Sequence, residues 1–134
     1  MRTFQEIFDN VVTNLRRQWA RSVNEEGTCL YRDGKGNKCA AGWEIPDELY
    51  TADMERTYIT DLSEDDIAGR GSIIENPNCV FPGQVLKDKL RYTDEQLRFL
   101  RELQRIHDLE LLDSWERHWS RLAEKYGLVY KVPQ

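Results

Sequence analysis

Residues 28–42 read TCLYRDGKGNKCAAG, and how this stretch folds decides the class of the whole chain. Thr28 to Arg32 reads as a short strand, Asp33-Gly34-Lys35-Gly36-Asn37 as a turn, and Lys38 to Ala41 as the return strand. With a five-residue loop, Tyr31 stands opposite Cys39 and Cys29 opposite Ala41, all on one face of the pleat. A two-stranded hairpin alone is marginal in water, so that face has to pack on helices. The expected fold is therefore α+β and mostly helical, with four to five helices around one short β-hairpin. A chain of 134 residues fits one domain, here residues 1–134.

The flanking sequence supplies the helices. Thr3 and Glu6 form a capping-box pattern, and Phe4, Ile7, Phe8, Val11, Val12, Leu15 and Trp19 fall on one arc of the helix that follows. That helix is expected to end between Asn24 and Gly27. Pro46 suits the first position of a short helix. Ser63 with Asp66 suits the cap of another that ends at Gly69, and Ile73-Ile74 reads as a short strand or buried loop. Val85, Leu86 and Leu90 suggest two further turns. Thr93 and Gln96 repeat the capping box, with Tyr92 and Leu97 as a hydrophobic staple, and open a helix from Asp94 to about Leu109. The last helix starts at Ser114 and carries Trp115, Trp119 and Tyr126 on one face, which suits a core or a two-fold interface equally. Gly127 stops it in the left-handed conformation.

Charge narrows the function classes. The net charge is −5, and the deficit lies wholly in residues 45–66, where eight acidic side chains face Arg56 alone. A general nucleic-acid binder shows a basic footprint instead, so none is expected. No stretch approaches the roughly 18 apolar residues of a membrane span, and the first residues lack the pattern of a secretory leader. Three cysteines (Cys29, Cys39 and Cys79) are an odd and sparse set, which suits free thiols in a reducing cytoplasm.

Two constellations carry possible chemistry. Cys39, followed by Ala40-Ala41-Gly42, is a candidate nucleophile with His107 as base and Asp108 as the group that orients it. On a helix Asp108 projects about 100° away from His107, which makes it a poor partner for that ring. The acidic run, in particular Asp61, Glu64, Asp65 and Asp66, is a candidate contact surface for a basic partner. Tyr31, Trp43 and Tyr50 are candidate walls of a ligand pocket. No metal set is complete: there is no C-x-x-C pair, and a zinc site would have to draw on Cys29, Cys39, Cys79, His107 and His118 scattered along the chain. Asp61 to Asp66 lacks the glycine of a calcium loop, and Gly34-Lys35-Gly36 lacks the G-K-[ST] of a phosphate loop. No cofactor is expected.

Cys29-Leu30-Tyr31-Arg32, then Lys38-Cys39-Ala40-Ala41-Gly42, then Ile45-Pro46-Asp47-Glu48-Leu49-Tyr50, followed by Leu103-Gln104 and His107-Asp108, resembles a group of small uncharacterised proteins of tailed phages and prophages. The likeness spans residues 4–128. It implies a phage or prophage setting and action in the cytoplasm of a bacterial host, and it carries over no functional residues. The expected function is that of a non-enzymatic accessory protein that binds a host protein or small ligand, in a role that counteracts a host defence. The alternative is a cysteine-dependent hydrolase or transferase using Cys39 and His107.

Overall fold

A computed structural model describes residues 2–74 and 76–130; of the domain expected over 1–134, Met1, Glu75 and residues 131–134 lie outside the described residues. Among the described residues six helices follow in order: α1 (Phe4–Gln18), α2 (Ala40–Glu44), α3 (Glu64–Gly69), α4 (Pro82–Leu90), α5 (Asp94–Leu109) and α6 (Trp115–Lys125). Short 3₁₀ turns lie at Ala52–Met54 and Leu112–Ser114. No helix among the described residues is long and apolar enough to cross a membrane.

Both capping boxes form. The Thr3 hydroxyl accepts from the Glu6 amide while the Glu6 carboxylate accepts from the Thr3 amide, and Thr93 and Gln96 do the same for α5. Ile7, Phe8, Val11, Val12 and Leu15 of α1 face Leu97, Phe99, Leu100 and Leu103 of α5, with Trp115 and Trp119 of α6 fully buried beside them. The tryptophan stripe is thus core within one chain. Phe4 meets Phe99 edge-on at 5.2 Å, and Trp115 lies 5.6 Å from Trp119. The α6 helix ends as expected: Gly127 takes φ +67° and the Leu128 amide bonds back to Ala123 O at 2.8 Å.

The expected hairpin does not form, so the fold is helical rather than α+β. Between the two arms only an isolated bridge, Arg32 to Lys38, is present, and a second joins Cys29 to Val23 rather than to Ala41. The Cys39 amide does reach Tyr31 O at 3.2 Å, but there the chain turns into α2 instead of continuing extended. The physical reason is that side chains serve the backbone groups a β-ladder would have used. Gln18 accepts from the Lys38 amide at 2.9 Å and donates to Lys38 O at 2.8 Å. Glu55 accepts from the amides of Tyr31, at 2.7 Å, and Arg32, at 3.2 Å. Gln104 accepts from the Ala41 amide at 2.8 Å. Cys39 is the N-cap of α2, its sulfur accepting from the Gly42 amide at 3.3 Å, and Ala40-Ala41 are strong helix formers. Gly42 is required because a Cβ there would lie 2.2 Å from Tyr31 O.

Three smaller expectations also change. The α1 helix stops at Gln18, not near Asn24, because Trp19 adopts the left-handed conformation at φ 44° and lays its ring edge-on to Trp115 and Trp119. Pro46 begins a turn rather than a helix, closed by bonds from the Leu49 and Tyr50 amides to Pro46 O. Ile73 is neither strand nor buried: it is 85% exposed. The α3 helix sits where Ser63 announced it, although the Ser63 side chain does not cap it and Asp66 accepts instead from the Leu62 amide.

Candidate functional site: an arginine-lined cleft beside a buried histidine

The segments on either side of α2 and the C-terminal half of α5 enclose a cleft of about 910 Å³. Its floor is built from residues 28–31 and the inner side of α5, and its rim from residues 55–59 and 70–73. Helical spacing places Arg101 and Arg105 one turn apart on α5, so both reach the same opening, with Gln104 and Asp108 deeper on the same helix.

At the floor, Cys29, His107 and Asp108 converge, with one donor atom from each lying within 4.8 Å of the others. His107 is fully buried. Its Nε2 accepts a hydrogen bond from the Ser22 amide at 3.0 Å, so Nδ1 carries the ring hydrogen and donates to Asp108 Oδ1 at 2.7 Å. Asp108 therefore does pair with the neighbouring ring: its side chain swings back along the helix, and the 100° between the Cα–Cβ directions does not keep the atoms apart. Gln104 donates to the same oxygen at 2.9 Å, and the Cys29 sulfur lies within 4.8 Å of the Asp108 carboxylate. Burial first, then the Asp108 charge, pushes the Cys29 thiol up to about 12.

The donor set suits a metal in kind but not in protonation. A metal at the floor would need the lone pair of His107 Nδ1, and that nitrogen is committed as a donor because the Ser22 amide occupies Nε2. Cys29 and Asp108 alone are two ligands, short of the three or four a zinc site uses.

The rim is cationic. Arg56, Arg70, Arg101 and Arg105 all line it. Arg70 is bound to Asp61 through two hydrogen bonds, at 3.2 and 2.8 Å. The Tyr58 ring lies between two guanidinium groups, with Arg70 3.8 Å and Arg101 4.2 Å from its centre. Among the described residues no carboxylate lies within ion-pairing distance of Arg101 or Arg105. Glu55, also on the rim, is fully engaged by the Tyr31 and Arg32 amides and by the Tyr50 hydroxyl at 2.6 Å. Ile73 and Leu109 give the opening an apolar lip.

The residues singled out from sequence scatter across this geometry. Cys39 lines the cleft but is fully buried, and burial drives its thiol far above the ordinary range. Tyr31 also lines it, buried, with its hydroxyl donating to Thr57 O at 2.5 Å. Trp43 and Tyr50 do not line it: the Trp43 ring sits under the Lys38 ammonium at 4.5 Å, and the Tyr50 ring carries Arg32 at 4.4 Å. Asp61 is not surface, since its side chain is 4% exposed against Arg70, whereas Glu64, Asp65 and Asp66 are exposed on the first turn of α3. Cys29 enters the sequence reading only in the incomplete zinc set with His107, and the arginines do not enter it. Spacing signals Arg101 and Arg105, which stand at i and i+4, but Arg56 and Arg70 arrive from loops that carry no such pattern. No family model, no curated protein and no solved structure matches the chain.

Proposed function

We propose that the chain is a non-enzymatic binding protein whose cleft holds a small anionic ligand. The observation that carries this is the pair Arg101 and Arg105, two guanidinium groups facing a cleft without a paired carboxylate among the described residues, in a chain of net charge −5. Guanidinium forks bind carboxylate and phosphate oxygens through two parallel hydrogen bonds, and within a cleft that attraction is screened less than on an open surface. A phage or prophage setting, action in the bacterial cytoplasm, and interference with a host defence by sequestering such a ligand complete the proposal.

The cysteine-dependent alternative has less support. A thiol nucleophile needs a depressed pKa or a free base beside it. Cys39 and Cys29 are both shifted the other way, and both nitrogens of His107 are occupied.

The test is thermal shift and calorimetry on the full chain with millimolar phosphate and succinate. At least one anion should raise Tm, and Arg101→Gln/Arg105→Gln should abolish the rise. A flat response to every anion overturns the proposal.

A further inference from the structure

We infer that the ligand is an organic phosphate of about nucleotide size, its phosphate held by Arg101 and Arg105 and its body resting against Ile73 and Leu109. This rests on the anion-binding reading above and narrows it. Size comes first. A cleft of about 910 Å³ lies near the top of the range for small-molecule sites, roughly 300–1,000 Å³. A free inorganic ion would leave most of it to water.

Charge comes second. A carboxylate offers one negative charge and two oxygens. A phosphate monoester carries about −1.5 to −2 and three strong acceptor oxygens, which match two guanidinium forks on successive turns. Arg101 is already ordered by stacking on Tyr58, and Tyr58 in turn is backed by Arg70, so little side-chain freedom is left to lose on binding. Of the acids in and beside the cleft, Asp61 is paired with Arg70, Glu55 is engaged by the Tyr31 and Arg32 amides, and Asp108 by Gln104 and His107, so none of the three is paired with Arg101 or Arg105.

The lip comes third. Ile73 is 85% and Leu109 66% exposed, and both line the cleft, so they offer an apolar surface on which the body of such a ligand can rest.

The experiment is isothermal titration of the full chain with adenosine monophosphate, inorganic phosphate, adenosine and succinate. Adenosine monophosphate should bind at least tenfold tighter than phosphate and than adenosine, and Arg101→Gln/Arg105→Gln should weaken it by at least tenfold. Ile73→Glu, at a side chain too exposed to affect folding, should weaken it by a similar factor with Tm unchanged; an unaltered affinity there overturns the placement of the body. Succinate binding as tightly as adenosine monophosphate overturns this inference and leaves the anion-binding reading standing. Silence from all three anions brings down both.

Discussion

The Ser22 amide hydrogen-bonds Nε2 of His107 at 3.0 Å across 85 positions of sequence, and this contact fixes the ring as the neutral tautomer that donates to Asp108. The bond ties the segment after α1 to the last turn of α5, beneath the Trp115 ring 5.7 Å away. His107→Ala should therefore leave a buried amide and a carboxylate short of partners and open a cavity under the tryptophan. We expect a loss of about 3 kcal/mol. Urea denaturation checks it: the midpoint should fall with the slope unchanged. A loss below about 1 kcal/mol would show that the bond contributes nothing essential.

The cysteines make a prediction about pH. The Cys29 thiol stands at about 12 against an ordinary 9.0, through burial and then Asp108, so folding favours its protonated form. That contribution is complete below about pH 9 and is lost as the pH climbs towards 12. Cys29→Ala should flatten part of the alkaline fall in Tm; Cys39 and the tyrosines raised by burial, Tyr31 and Tyr92 among them, contribute in the same sense. Removing the negative neighbour acts in the opposite sense on reactivity. In Asp108→Asn the Cys29 thiol should alkylate faster at pH 9, read by mass spectrometry of the labelled peptide, while the fully buried Cys39 stays unlabelled in the folded protein.

The acidic run separates into two kinds of residue. Asp61 accepts from the Tyr58 amide at 2.7 Å and from Arg70 twice, with its side chain almost wholly buried. Asp61→Asn should cost about 2–3 kcal/mol, since it strips the charge from a buried pair and leaves Arg70 uncompensated. Glu64→Lys and Asp65→Lys lie on the solvent side of α3 and should each stay within about 0.5 kcal/mol of the parent. Thermal denaturation of the three variants side by side distinguishes them; equal effects would mean that Asp61 is no more structural than its neighbours.

Local signals carried most of the helical frame. Capping boxes and 3.6-residue periodicity announce α1 and α5, and a left-handed glycine announces the end of α6, because each is a matter of a few adjacent residues. The cleft was legible only in part. Cys39, His107 and Asp108 stood out by residue type, but that Cys29 and not Cys39 lies against His107 depends on Val23 pairing with Cys29, a contact set by where α1 ends. Trp19 ends it early for a tertiary reason, its packing on α6. The missing hairpin has the same cause. Gln18, Glu55 and Gln104 serve the backbone of residues 31–41 from three distant places, and no short-range pattern encodes that.

Gly42 turns that last point into an experiment. Just past a return strand that ended at Ala41 a glycine would be replaceable, and Gly42→Ala would even favour order. In the observed fold its Cβ would fall 2.2 Å from Tyr31 O and 3.1 Å from Lys38 Cβ, so backbone has to move. The movement would pull α2 away from Tyr31 and disturb the cleft wall where Cys39 and Tyr31 sit. Gly42→Ala should cost about 2–3 kcal/mol by urea denaturation, the scale of an overpacked core site. Gly83→Ala, whose Cβ would lie 2.0 Å from Ile59 O, should cost a similar amount while leaving α2 in place. Gly69→Ala, with open space around it, serves as the control and should be neutral or slightly stabilising. If Gly42→Ala behaves like Gly69→Ala, the turn into α2 at Cys39 is wrong, and the placement of the cleft wall fails with it.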